Sequence, residues 1–223
     1  MVYSGGFAIG ISNNGEFLEE RKDGRVTIPY DSEYVIRLRN ENSRRAVCKI
    51  FLDGENVSDG GYIIPSHDFI DIERYSNTAK RFKFVDLNSE EAILNGKSGP
   101  NIDGSKGLIE CHFWLERQQN YYVSNVVRKW NTGYPQEKTI YKPCQFTTNN
   151  TLANNEGVTV QGGISTQQFT SGYINLDYTN CIVLKLILTG GQPQHKAIYC
   201  MDCGCKSPKN KAKFCYSCGY QLV

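Results

Sequence analysis

The chain has 223 residues, a formal net charge of +2 and nine cysteines. That length accommodates one large or two small domains, and the near-balance of charge is a poor footprint for a general nucleic-acid binder, whose affinity comes mostly from phosphate neutralisation. The start, MVYSGGFAIGIS, has neither a basic segment nor a sustained apolar run, so neither a signal peptide nor a membrane anchor is expected.

From there the body reads as β nearly throughout. Glu33 to Arg39 alternates Tyr34, Ile36 and Leu38 with Val35, Arg37 and Arg39, the period-2 pattern of a strand with one buried face. A polar turn over 40–45 leads to a second strand, Ala46 to Leu52, stopped by the turn signal Asp53-Gly54. Gly60-Gly61 precedes a short strand, Tyr62 to Ile64, which Pro65 ends. Asp68 to Glu73 and Arg81 to Asp86 continue the pattern. The Asn-, Gly- and Ser-rich stretch 88–106 reads as a loop with one helical turn at Glu90 to Asn95, and Leu108 to Leu115 is a longer strand. Residues 118–155 lack periodicity and are rich in Asn, Thr, Tyr and Gln, an excursion from the sheet. Strand signals return at Gly157 to Val160, Gln167 to Thr170 and Cys181 to Leu188, and Thr189 to His195 reads as a linker. Many short strands at this spacing favour an all-β, β-sandwich-like body over residues 1–190 with a long loop excursion. A linker over 191–197 and a small domain over 198–223 follow.

That last segment carries the most specific signal. Cys200-x-x-Cys203-Gly and Cys215-x-x-Cys218-Gly lie eleven residues apart. Two thiolates three positions apart can chelate one ion from a single tight turn, and two such turns complete a tetrahedral shell. Four sulfur ligands leave no open position, so one structural Zn²⁺ per chain is the expected cofactor. The motif, with Tyr199, Lys206 and Lys213-Phe214 around it, resembles the short zinc ribbons appended to many bacterial, archaeal and viral proteins. The resemblance covers residues 198 to 223 and implies Cys200, Cys203, Cys215 and Cys218 as the ligands. Cys205 sits where such ribbons hold a small non-ligand residue, and it is read either as a free thiol or as a competing ligand. Cys48, Cys111 and Cys181, in strand-like apolar runs, read as small buried residues, and a reducing cytosol is the expected compartment.

The body resembles a β module found in uncharacterised proteins of large bacteriophages, giant DNA viruses and some microbes. The likeness runs through 34–45, Lys49 to Gly54, Ile70 to Arg74, Arg81 to Phe84, Gly107 to Phe113 and Gly162 to Phe169. It implies a β scaffold and no established catalytic role.

Chemistry-bearing residues are scarce. His67, His112 and His195 have no sequence neighbour whose spacing implies a triad. Asp68, Asp71 and Glu73 read as a solvated strand face, and Cys111 as a packed thiol. Arg37, Arg39, Arg44 and Arg45 form a basic cluster that Glu33, Glu41 and Glu55 can neutralise. In the excursion, Tyr121, Tyr122, Arg128, Trp130, Tyr134 and Tyr141 interleave aromatics with cations. Such groups anchor protein interfaces or stack on bases, and they also serve simply to pack an excursion onto a sheet. The sequence therefore points to a non-enzymatic structural, protein-binding or assembly protein, cytoplasmic or within a particle assembled there. Its expected partner is a protein or a further copy of itself. The alternative is a nucleic-acid-associated protein using the ribbon and the Tyr/Arg/Lys-rich segment, and an enzyme whose residues converge only in three dimensions comes third.

Overall fold

The computed structural model describes residues 1–118, 155–191 and Phe214. The described chain is all-β apart from one short helix. Its strands are β1 (Val2–Ser4), β2 (Phe7–Asn13), β3 (Glu16–Phe17), β4 (Arg25–Ile28), β5 (Ser32–Asn40), β6 (Ala46–Leu52), β7 (Glu55–Asn56), β8 (Tyr62–Ile64), β9 (Asp68–Ile72) and β10 (Lys80–Asp86). After helix α1 (Glu90–Leu94) come β11 (Leu108–Glu116), β12 (Gly157–Ile164) and β13 (Leu176–Gly190).

Two sheets form. The first runs β1-β2-β5-β10-β12, with β3 on β2 and β9 on β5; the second runs β4-β13-β11-β6-β7, with β8 on β6. Only the β4–β13 pair is parallel among these ladders. Alternation builds the core. In β5, Tyr34, Ile36 and Leu38 are buried while Arg37 and Arg39 face outward. In β11, Ile109, Cys111 and Phe113 are buried while Glu110, His112 and Trp114 face outward. One buried cluster draws on both sheets, and Phe7 of the first stacks on Phe113 of the second at 4.5 Å between ring centroids.

Several sequence expectations meet the structure directly. The helical turn at 90–95 is α1, capped by the Ser89 hydroxyl, which accepts from the Ala92 amide. Cys48 and Cys111 are buried, but Cys181 is exposed: it stands on the outward parity of β13, opposite Trp114. The strand signal at Gln167 to Thr170 is not a strand, because Gln167 spends its side-chain amide on a neighbouring edge instead, as described below. Strands β1 to β4 had no counterpart in the sequence reading. β13 also reaches further than expected, through Thr189 and Gly190 into the parallel ladder with β4, so those two residues belong to the sheet rather than to a linker. The excursion and the cysteine-rich segment lie outside the described residues.

One buried carboxylate bridges the two sheets. Asp53 and Gly54, at φ of 52° and 83°, make the two-residue turn between β6 and β7, a type I′ geometry that suits the strand twist. The Asp53 carboxylate accepts from the Gly107 amide at 2.7 Å, beside the second sheet, and from the Thr159 amide at 2.8 Å, in the first. Lys97 Nζ lies 3.6 Å away, and the Asp53 side chain is only 6% exposed. Thr159 also shares a buried 2.8 Å hydrogen bond with the Tyr34 hydroxyl. Burial raises the Asp53 pKa, against the opposing pull of Lys97 and the two amides.

Candidate functional site

At a second seam the sheets part around open space, bridged at its inner end by Tyr62 Oη to Arg74 C=O at 3.4 Å and by Ser76 N–H to Val57 C=O at 3.1 Å. A cleft of about 680 Å³ opens there, lined by β8, β9, the Ser58–Gly61 turn and the segment Gln167–Ile174. That volume lies within the roughly 300–1,000 Å³ of ordinary ligand sites.

One wall is β8. It forms because the chain makes a tight turn after β7. Asn56 Oδ1 accepts from both the Ser58 amide and the Ser58 hydroxyl. Ser58 Oγ in turn accepts the Ile50 amide, and Gly61 N–H bonds Ser58 C=O at 2.7 Å. Gly61 has φ of 98°, and a Cβ there would lie 2.6 Å from Val47 Cγ1 and 3.1 Å from the Cys48 carbonyl, so only glycine lets β8 approach β6 so closely.

The backbone of β8 faces two ways. Val57 N–H bonds Ile50 C=O on the β7 side of β6, whereas Asp53 N–H bonds Leu108 C=O on the β11 side. Even-numbered residues of β6 therefore direct their backbone groups away from β11, toward β7 and β8. In the register Ala46↔Ile64, Val47↔Ile63, Cys48↔Tyr62, Tyr62 and Ile64 are thus the hydrogen-bonded residues. Ile63 turns its N–H and C=O to the outer edge. Pro65 ends the strand, so this edge is three residues long.

The facing wall is β9, and its edge is closed. Gln167 Nε2 donates to Asp71 C=O at 2.6 Å, and Glu73 N–H donates to Gln167 Oε1 at 3.2 Å. An N–H to residue i−1 and a C=O from residue i+1 is the pattern of a parallel ladder, so this carboxamide stands where one residue of a parallel strand would. Gln167 is held in turn by Arg74 Nε on its carbonyl and by Ser165 Oγ, which accepts its amide. Arg74 also bonds the Tyr75 and Thr78 carbonyls and lies 4.1 Å over the Phe169 ring. Phe169 in turn packs on Tyr62, 5.1 Å between centroids.

Beyond Gln167 the chain crosses from the first sheet to the second. Over 168–174 it makes no backbone hydrogen bond to a described residue; the next is Arg117 N–H to Asn175 C=O. This strap rests on Phe169 and on close approach at Gly172, where a Cβ would lie 2.8 Å from Ile63 Cδ1. Asp59 and Asp71 are the charged lining residues. Asp71 is held in two hydrogen bonds by Arg37, whose guanidinium is sandwiched between Phe17 and Phe69 at 4.6 and 4.0 Å. Asp59 forms no ion pair with a described residue.

The outer face of the second sheet carries a row of rings. Phe51 and His112 lie 4.8 Å apart, His112 and Trp114 6.1 Å, and Trp114 and Tyr178 6.4 Å. Partial burial lowers the His112 pKa, against the opposing pull of Glu110 beside it, and so favours the neutral imidazole.

The sequence-predicted ligands Cys200, Cys203, Cys215 and Cys218, and the residues Tyr121, Tyr122, Arg128, Trp130, Tyr134 and Tyr141, lie outside the described residues. Among the described residues no group of three or more His, Cys, Asp or Glu could hold a metal, and no helix is long and apolar enough to cross a membrane. Most of the basic cluster is neutralised, in one case by an expected partner, Glu41, and otherwise by others. Arg37 meets Asp71, Arg39 meets Glu41 and Arg45 meets Glu116, while Glu33 meets Arg81 and Glu55 meets Lys97. The cleft itself escaped the sequence reading. Its one local signal is Asp59-Gly60-Gly61 before a three-residue strand ended by proline, which marks an edge. No family model, curated protein or solved structure matches the chain.

Proposed function

We propose that the chain is a non-enzymatic binding and assembly protein. Its β-sandwich-like body contacts a protein partner or a further copy of itself, within an assembled particle or the cytoplasm. Cys200, Cys203, Cys215 and Cys218 bind one structural Zn²⁺. The observation that carries the protein-binding reading is the cleft, where backbone groups at Ile63 and over 168–174 lack a described partner beside the exposed Phe169 ring and the half-buried Ile63, Ile70 and Ile174. Backbone edges are recognised best by other backbones. A protein partner is also favoured over nucleic acid because Arg37, Arg39, Arg45, Arg81, Lys83 and Lys97 are already paired with carboxylates, leaving less charge to neutralise phosphates.

Copurification from the native source, with light scattering of the purified protein, tests this. The expected result is a partner chain or an oligomer whose stability changes modestly with salt. A monomer without partners that binds DNA or RNA tightly at physiological salt would contradict it. The zinc assignment rests on ligand spacing and is tested by elemental analysis of unoxidised protein. One zinc per chain, lost in a Cys200→Ser/Cys218→Ser double variant, is expected; no zinc would remove that part of the reading.

A further inference from the structure

We infer that the cleft takes an extended peptide segment of the partner, which adds to the edge of β8 at Ile63, seats an apolar side chain against Tyr62 and Ile70, and sets a lysine or arginine beside Asp59; this rests on the protein-binding reading above. Four observations converge on it. Ile63 presents one N–H and one C=O outward on an otherwise paired strand, the pair of groups that an added antiparallel residue exchanges. Across the cleft, the chain already fills the equivalent vacancy on β9 with the Gln167 carboxamide, so one edge is plugged from within and the other is not. The lining sets Tyr62, Ile63, Ile70, Phe169 and Ile174 among the polar side chains of Gln168, Thr170 and Ser171, so apolar seats alternate with hydrogen-bonding groups, as an added strand with alternating side chains requires. Of the charged lining residues, Asp71 is occupied by Arg37 and Asp59 is not, so the unmet charge is negative and its complement is cationic.

The size of the edge limits what can bind. Pro65 and the Gly60-Gly61 turn bound β8 to three residues, the kind of short edge that resists indiscriminate sheet growth. It admits a segment of a few residues in one register. An oligosaccharide could use the hydroxyls and amide of Gln168, Thr170 and Ser171, but it would leave the paired N–H and C=O of Ile63 without a complementary backbone.

Gly60 supplies the test. A Cβ at Gly60 would meet nothing within 4 Å, its φ is not in the left-handed region, and it lines the cleft. Gly60→Phe therefore adds a ring at the wall of the cleft, at a position where its Cβ meets no other atom. The probe is an immobilised positional-scanning hexapeptide library, read against the full-length protein, with cellohexaose as the carbohydrate arm. Expected are selected peptides with alternating apolar positions and at least one lysine or arginine. Their affinity should fall more than about tenfold in Gly60→Phe at unchanged Tm. It should fall about tenfold when the amide facing Ile63 is N-methylated, as one lost backbone bond and its steric block require. Asp59→Asn, which keeps a residue tolerant of the 47° φ at that position, should weaken only the basic peptides, by about two- to fivefold.

No selected peptide, selection unaffected by Gly60→Phe, or cellohexaose binding in place of peptide would each overturn the inference. A copurifying partner still captured by Gly60→Phe would overturn it while leaving the protein-binding reading intact. Absence of any partner or oligomer would remove that reading itself.

Discussion

The two seams between the sheets solve opposite problems. At Asp53 a buried carboxylate meets an amide of each sheet, and the groups around it are satisfied: Thr159 by Asp53 and Tyr34, Gly107 by Asp53, Lys97 by Asp53 and Glu55. At the cleft β8 and β9 diverge from the Tyr62–Arg74 contact around open space, with the outer edge of β9 closed and that of β8 open. The same backbone chemistry is spent on cohesion at one seam and left available at the other. Buried polar groups without partners are costly, whereas Ile63 is half-buried and lines the open cleft.

The largest expected effect of breaking this contrast is at the closed seam. Asp53→Ala leaves the Gly107 and Thr159 amides unpaired and Lys97 without its buried partner. At about 1–3 kcal/mol per stranded donor, urea or thermal unfolding should show a loss of about 2–6 kcal/mol. Asp53→Asn gives a subtler reading through pH. The folded state raises the Asp53 pKa, so it binds that proton more tightly than the unfolded chain does. Its contribution is full below the unfolded value near 4 and is lost as pH rises through the higher folded pKa. The stability advantage of the native protein over Asp53→Asn should therefore shrink as pH is raised from about 4. An advantage that grows with pH would show that the amides and Lys97 outweigh burial.

Next in size are the residues that shape the cleft. Gln167→Ala strips the plug from β9, leaving Asp71 C=O and Glu73 N–H to water, and should cost about 1–2 kcal/mol for two net hydrogen bonds. It should also loosen the strap, read as faster proteolytic cleavage within 168–174. Adjacent glycines then separate shape from stability. Gly61→Ala meets Val47 and the Cys48 carbonyl at positive φ and should cost about 1–3 kcal/mol, whereas Gly60→Ala should stay within about 0.5 kcal/mol of the native protein. Equal effects would mean that the β8 approach to β6 is not as close as described.

Legibility in the sequence followed the physics of each element. Strands β5, β6, β8 and β11 were readable because each buries one face, so period-2 alternation or a short apolar run survives in Tyr34/Ile36/Leu38 and in Cys48/Ile50/Leu52. Strand β2 was not read: Phe7 to Ile11 is buried throughout, and Gly5, Gly6 and Gly10 around it read as turn. The outer halves of β12 and β13, with Gln161-Gly162-Gly163 and Asp177 to Asn180, are polar and exposed, so tertiary pairing rather than propensity extends them. The Asp53-Gly54 turn was plain, but nothing local tells that its carboxylate reaches Gly107 and Thr159. The cleft depends on backbone parity and on a glutamine side chain 94 residues away from its acceptor strand's Glu73, neither of which leaves a periodic trace.

Native-state amide hydrogen exchange of the isolated protein tests the contrast most directly. The Gly107 and Thr159 amides should exchange only with near-global unfolding, and within β8 the Tyr62 and Ile64 amides should be protected while the Ile63 amide and those of 168–174 exchange freely. Protection of Ile63 equal to that of Tyr62 and Ile64, in protein free of any partner, would show that the edge is already occupied and would contradict an open seam.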